Sequence, residues 1–148
     1  MDEAGNRVSR GTGTGKVVLF LCGDVMPGRG IDQILRHPSR PILYEAAVTS
    51  ALEYVALAEH VHGPIPRMVG PAYVWGVALD ELERRQPAAR IINLETSITT
   101  HEEAAPKGIN YRMHPSNVDV LSAARVDCVV LANNHVLDWG TAGLAETL

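Results

Sequence analysis

Cys128-Val129-Val130-Leu131-Ala132-Asn133-Asn134-His135-Val136-Leu137-Asp138-Trp139-Gly140 is the stretch that decides the reading of the chain. An apolar run breaks off into two amides and an imidazole, and a carboxylate, an indole and a glycine follow. A continuous apolar run of this kind suits a strand buried on both faces. Asn, His and Asp side chains can all bind metal or phosphate, and here they stand where that strand would emerge.

Two other stretches upstream repeat the pattern. Val17-Val18-Leu19-Phe20-Leu21-Cys22 runs into Gly23-Asp24, then Val25-Met26-Pro27-Gly28-Arg29-Gly30. Arg90-Ile91-Ile92-Asn93-Leu94 runs into Glu95-Thr96-Ser97. Helical segments are expected between them. One is short, Ile31 to Arg36. A second runs from Ile42 to His60, with Leu43, Ala47, Ala51, Tyr54, Val55 and Ala58 at helical spacing. A third covers Val77 to Gln86. Tyr111 to Pro115 reads as extended. Ser116 reads as the N-cap of a helix with Asp119 at N3, placing Val118, Leu121 and Ala124 toward the core. Thr141 would cap a last helix, Ala142 to Leu148. The order β, αα, β, α, β, α implies an α/β fold: a mostly parallel sheet with helices packed on it.

The totals agree with one globular domain. The chain has 148 residues, 46% of them hydrophobic and 20% charged. A net charge of −4, with no Lys/Arg cluster, argues against a nucleic-acid partner. Cys22 and Cys128 lie in apolar runs and read as reduced core thiols. No run is long enough to span a membrane, and residues 1–16 lack the apolar core of a secretory signal. The chain is therefore expected to be cytoplasmic or peripheral to the membrane, with 1–16 a flexible tail and 17–148 the folded domain. Gly11 to Lys16 superficially suggests a phosphate loop, but its spacing is wrong and it precedes a strand. His60 and His62, at a helix end, read as solvated rather than ligating.

In open α/β sheets, ligands bind beyond the carboxyl ends of the strands. Asp24, then Asn93 with Glu95, then Asn133, Asn134 and His135 all stand at that edge. The donors are oxygen-rich with one imidazole and no thiolate, which suits Mg, Mn, Fe or Zn. Metals held there would activate water and stabilise a phosphoryl transition state, with a histidine protonating the leaving group. A single-metal or metal-free site fits the same residues. Arg29 and Arg112 read either as holders of an anionic group, Arg29 the better placed, or as surface ion pairs. Asp138 reads either as the residue that sets the tautomer of His135 or as a helix cap. Trp139 reads as packing beneath the loop.

Gly23-Asp24-Val25-Met26-Pro27-Gly28-Arg29, Asn93-Leu94-Glu95-Thr96 and Ala132-Asn133-Asn134-His135-Val136-Leu137-Asp138-Trp139-Gly140 together resemble the CapA family. These are bacterial capsule or poly-γ-glutamate synthesis proteins related to the calcineurin-like metallophosphoesterases. The resemblance runs from about Val17 to Leu148. It implies the N-terminal part of a four-layer α/β/β/α metallophosphatase-like sandwich, C-terminally truncated. It further implies Asp24, Glu95 and Asn134 as ligands of divalent metal, and His135 as the catalytic residue contacting a substrate phosphate. Arg29, Asn93, Asn133 and Asp138 would bind substrate or support the ligands. An anionic polymer or phosphoester is the implied substrate, and other capsule-synthesis proteins are the implied partners. Met26 stands where phosphoesterases carry a ligating histidine, and Glu95 where they carry a bridging aspartate. Motifs the family carries downstream do not occur in these residues. Three roles follow: a metal-dependent hydrolase, a non-catalytic binding or assembly component, or an inactive fragment.

Overall fold

The computed structural model describes residues 15–148. The tail expected over 1–16 thus falls almost wholly outside the described residues. Three strands form a parallel sheet: β1 (Leu19–Val25), β2 (Ala89–Leu94) and β5 (Cys128–Val130), with β2 in the centre. Between β1 and β2 lie α1 (Arg29–Asp32), α2 (Ala51–His62) and α3 (Ala78–Arg85). Between β2 and β5 come a small parallel pair, β3 (Ser97–Ile98) with β4 (Arg112–Met113), and α4 (Asp119–Ala123). α5 (Gly140–Thr147) follows β5. This is the alternating α/β order expected, and every strand pair within these sheets is parallel.

The register explains which residues make the core. Cys22, Ile92 and Val129 stand side by side across the sheet, so they share one face. On that face Ile92 and Leu94 are buried with Leu35, Ile98, Met113 and Val120, and Phe20, Val25 and Trp75 pack around them. Leu21, Ile91 and Cys128 form the neighbouring row and point to the opposite face. There the expectation of strands buried on both sides fails. Leu21 is 68% exposed, Leu19 52% and Val130 40%. Cys128 is exposed as well, so only Cys22 approaches the core position expected of both thiols. The described residues thus make one sheet layer with its helices, consistent with part of a metallophosphatase-like sandwich, and the bare face is apolar.

A contiguous apolar patch of this kind drives association. Self-association of the chain is expected, and Leu21→Lys should reduce it without lowering the thermal midpoint, as sedimentation velocity and thermal denaturation would measure. A wild-type chain that stays monomeric at its highest soluble concentration would contradict this.

Local chemistry moves several boundaries. β1 continues through Gly23 and Asp24, so Asp24 lies on the strand rather than after it. Residues 42–50 are not helical. Ile42 bridges Ser50 in antiparallel fashion, Leu43 N–H donates to the Thr49 carbonyl, and Ala51 N–H donates to that of Pro41. α2 starts only at the Ser50 capping box. The Ser50 hydroxyl accepts from the backbone, and Glu53 at N3 accepts from the Ser50 N–H. The Ser-x-x-Glu signature outweighs the apolar spacing upstream of it. Ser116 is not a cap. His114 Nδ1 accepts from the Ser116 N–H and caps a 3-10 turn, Pro115–Asn117, which precedes α4. Val118 is accordingly exposed, and Val120 and Ala124 are buried. α5 begins at Gly140, with Trp139 rather than Thr141 at the N-cap.

One buried carboxylate ties α1 to the second half of the chain. Asp32 is 1% exposed and accepts from His114 N–H, Asn117 Nδ2 and Ser39 N–H. Burial pushes its pKa up, and the surrounding hydrogen bonds oppose that shift.

Candidate functional site

The strand ends converge. Parallel pairing puts Leu94 beside Val25, and Glu95 N–H donates to the Val25 carbonyl, so Glu95 emerges next to the end of β1. The Asn93 amide donates to Asp24 Oδ1 at 2.9 Å and to Glu95 Oε2 at 3.2 Å. Asn133 in turn donates to Asn93 Oδ1 at 2.9 Å and to the Leu94 carbonyl at 3.0 Å. Its own Oδ1 accepts from the His135 N–H, which fixes the turn that presents the imidazole. Asn93 and Asn133 are thus braces from β5 through β2 to β1. The amides hold the two carboxylates in place.

Asp24 and Glu95 are both held by the Asn93 amide, and each acts on the other's pKa. Glu95 is pushed up, first by its hydrogen bond with Asp24, then by burial and the Asp24 charge. Asp24 is held down by the same hydrogen bond and by Asn93. Two carboxyl groups this close share a proton unless a cation neutralises them.

His135 is buried on this edge. Its Nδ1 is 2.7 Å from Asp138 Oδ2, and its Nε2 is 3.8 Å from Glu95 Oε1. A carboxylate only accepts, so the Nδ1 proton points to Asp138 and Nε2 faces Glu95. Of the two readings of Asp138, the tautomer-setting contact is the one present. Asp138 is fully buried and also accepts from Lys107 Nζ at 2.5 Å and from Tyr111 N–H at 2.6 Å. Tyr111 stacks on the imidazole, with ring centroids 4.1 Å apart. Lys107 and Tyr111 went unnoticed in the sequence. Lys107 sits in a polar loop with no motif around it, and Tyr111 opens a segment readable only as extended.

Other candidates stand apart. Asn134 is exposed, and its backbone carbonyl, not its side chain, accepts from Lys107. Arg29 forms an ion pair with Glu45 and also donates to Tyr54, so it is committed internally. Its guanidinium lies 5.6 Å from the Tyr111 ring centre. Trp139 is 2% exposed, donates to the Tyr111 carbonyl and packs beneath the loop as expected. His60 and His62 are exposed at the end of α2. Among the described residues, no three His, Cys, Asp or Glu side chains gather as a metal-ligating group. The donor set at the strand ends is two linked carboxylates with amides and an imidazole beside them. Its chemistry suits a hard divalent cation.

A parallel α/β layer with carboxylates, amides and a histidine at its strand ends is consistent with part of a metallophosphatase-like fold. The chain belongs to the family of the bacterial capsule synthesis protein PGA_cap, which it matches over residues 18–148. The resemblance drawn from the three motifs is thereby borne out. Among curated proteins it is similar to two from Mycobacterium tuberculosis strains, each described as a probable polyglutamine synthesis accessory protein. Each is 50% identical over 133 residues, covering 89% of this chain and 35% of the relative. The chain thus spans about a third of the length of these curated relatives. No solved structure matches it.

Proposed function

We propose that this chain supplies the divalent-metal half-site of a protein acting in capsule or polyglutamate-type polymer synthesis. The family, and the accessory role in polyglutamine synthesis ascribed to the mycobacterial relatives, support the biological role. The metal reading is supported above all by the linked Asp24–Glu95 pair braced by Asn93. In this reading Asp24 and Glu95 would hold the cation, and the Asn134 proposed from the sequence would have to turn in from its exposed position to join them. A metal held there would supply charge neutralisation and would lower the pKa of a water bound to it. His135, oriented by Asp138, presents Nε2 toward an anionic substrate, a phosphoester or an acidic polymer, and in its doubly protonated imidazolium form, with Asp138 holding Nδ1–H, it donates the Nε2 proton to the leaving group. Other proteins of polymer synthesis are the proposed partners. No described helix is long and apolar enough to cross a membrane.

Calorimetric titration with Mn, Mg and Zn tests this. The wild-type chain should bind a divalent ion, and Asp24→Asn or Glu95→Gln should weaken binding by about ten-fold or more, since each removes a charged ligand. No heat of binding with any of the three ions would overturn the proposal. The second reading is a non-catalytic binding or assembly component. It draws support from the lack of a three-residue ligating group among the described residues. Metal binding without hydrolysis of an aryl phosphoester would favour it.

A further inference from the structure

Where the chain enters β4, the side chains of Tyr111 and Arg112 go to different surroundings. Tyr111 faces the imidazole of His135. Arg112 faces away, toward an open cavity of about 280 Å³ that shares no residue with the strand-end cluster. Arg112 is 9% exposed. One face of its guanidinium lies on the Trp139 indole, 4.1 Å from the ring centre, and Nη1 donates to the His101 carbonyl at 2.6 Å. No carboxylate among the described residues comes within ion-pair distance of it. Asp32 lines a smaller adjoining cavity with it, but the oxygens of Asp32 are taken by Ser39, His114 and Asn117. Glu102, on the rim of the larger cavity, is engaged by Arg40 at 2.9 Å. Burial pulls the Arg112 pKa down, opposed by the more distant charges of Glu102 and Asp32.

A second polar group lines the same cavity. The Ser39 hydroxyl oxygen is buried and has no hydrogen-bond partner among the described residues, and Ser39 lines this cavity beside Arg40 and His114. His114 accepts at Nδ1 from the Ser116 N–H, so its proton is on Nε2, a further donor. Buried polar groups are nearly always satisfied, and an unpartnered hydroxyl beside a buried guanidinium that has no counter-ion among the described residues, both lining one cavity, points to a ligand.

We propose that Arg112, Ser39 and His114 form a carboxylate-binding pocket, separate from the strand-end cluster. A guanidinium with free donors on one edge matches the two oxygens of a planar carboxylate. The rim carries one cation, Arg40, already matched by Glu102, so the pocket holds one net positive charge in Arg112. That balances a carboxylate and leaves a doubly charged phosphate facing Glu102 uncompensated. The pocket does not depend on the metal reading.

The test is titration of the full chain with glutarate and, separately, with inorganic phosphate, read by NMR. The reporters are the Arg112 Nε–H and Trp139 indole N–H resonances. Glutarate should shift both saturably. Ser39→Ala should weaken binding about three-fold, as for one net hydrogen bond, and Arg112→Lys about ten-fold, for loss of the planar fork. Glu102→Gln, at an exposed position, should tighten it. Asp24→Asn should leave it unchanged, which separates this pocket from the metal site. The proposal is overturned by non-saturable shifts, by phosphate binding more tightly than glutarate, or by unchanged affinity in both Ser39→Ala and Glu102→Gln. Those two variants decide the matter even if Arg112→Lys does not fold.

Discussion

Asp138→Ala should lower the thermal midpoint by about 10 °C, corresponding to about 3 kcal/mol at the scale expected for a domain of this size. The carboxylate is fully buried and joins three segments: Lys107 from the loop before β4, Tyr111 immediately before β4, and His135 in the turn after β5. Removing it leaves the Tyr111 N–H without an acceptor and the His135 ring without its orienting contact. Loss of one member of a buried charged pair costs about 3–5 kcal/mol. Lys107 is partly exposed and can turn to solvent, which keeps the cost at the lower end. Asp138→Asn retains an oxygen for the Tyr111 N–H, so it should destabilise less while still altering the His135 tautomer. Thermal denaturation followed by circular dichroism measures both. A shift of only two or three degrees for Asp138→Ala would mean that the network contributes little to stability.

Gly28→Ala should cost about 2–3 kcal/mol, the upper part of the range for inserting a methyl group into packed structure. An added Cβ would stand 2.6 Å from the Arg112 carbonyl oxygen and 2.8 Å from Thr96 Oγ1. The first neighbour is backbone and has no rotamer to escape into, so β4 must move, and with it Tyr111 and Arg112. The same motif supplies the control. A Cβ on Gly23 would meet nothing within 4 Å, so Gly23→Ala should be neutral or slightly stabilising. Chemical denaturation of the two variants checks the contrast. Equal stability of the two would refute the close approach of the β1–α1 turn to β4. The requirement at Gly28 is steric, because its backbone angles suit any residue.

Much of this was legible in the chain. The apolar runs ending in Asp24, Asn93-Leu94-Glu95 and Asn133-Asn134-His135 each announced a strand with a polar end, and all three strands are present in one parallel sheet. Their convergence followed from parallel topology alone, since parallel strands put like ends on one edge. Helix starts were less legible. Apolar spacing alone starts a helix at Ile42, but the fold uses residues 42–50 in a loop, where Glu45 reaches Arg29, and begins the helix after the Ser50 capping box. Within the cluster, residue type did not reveal pairing. Arg29 could as well have met a ligand as Glu45, and Asn134 differs from Asn133 only in which side of a turn it occupies.

By itself, then, the order of residues determined the α/β class, the parallel sheet and the edge on which the polar groups gather. Those depend on local periodicity and on chain direction, which are written in one dimension. Tertiary structure decided the rest. It chose Asp138 and Tyr111 as the contacts of His135, Glu45 as the partner of Arg29, and a cavity rather than a carboxylate for Arg112. It also left Leu19, Leu21 and Val130 on an uncovered face. Each of these turns on which distant segments meet, and burial and hydrogen-bond satisfaction are properties of that meeting.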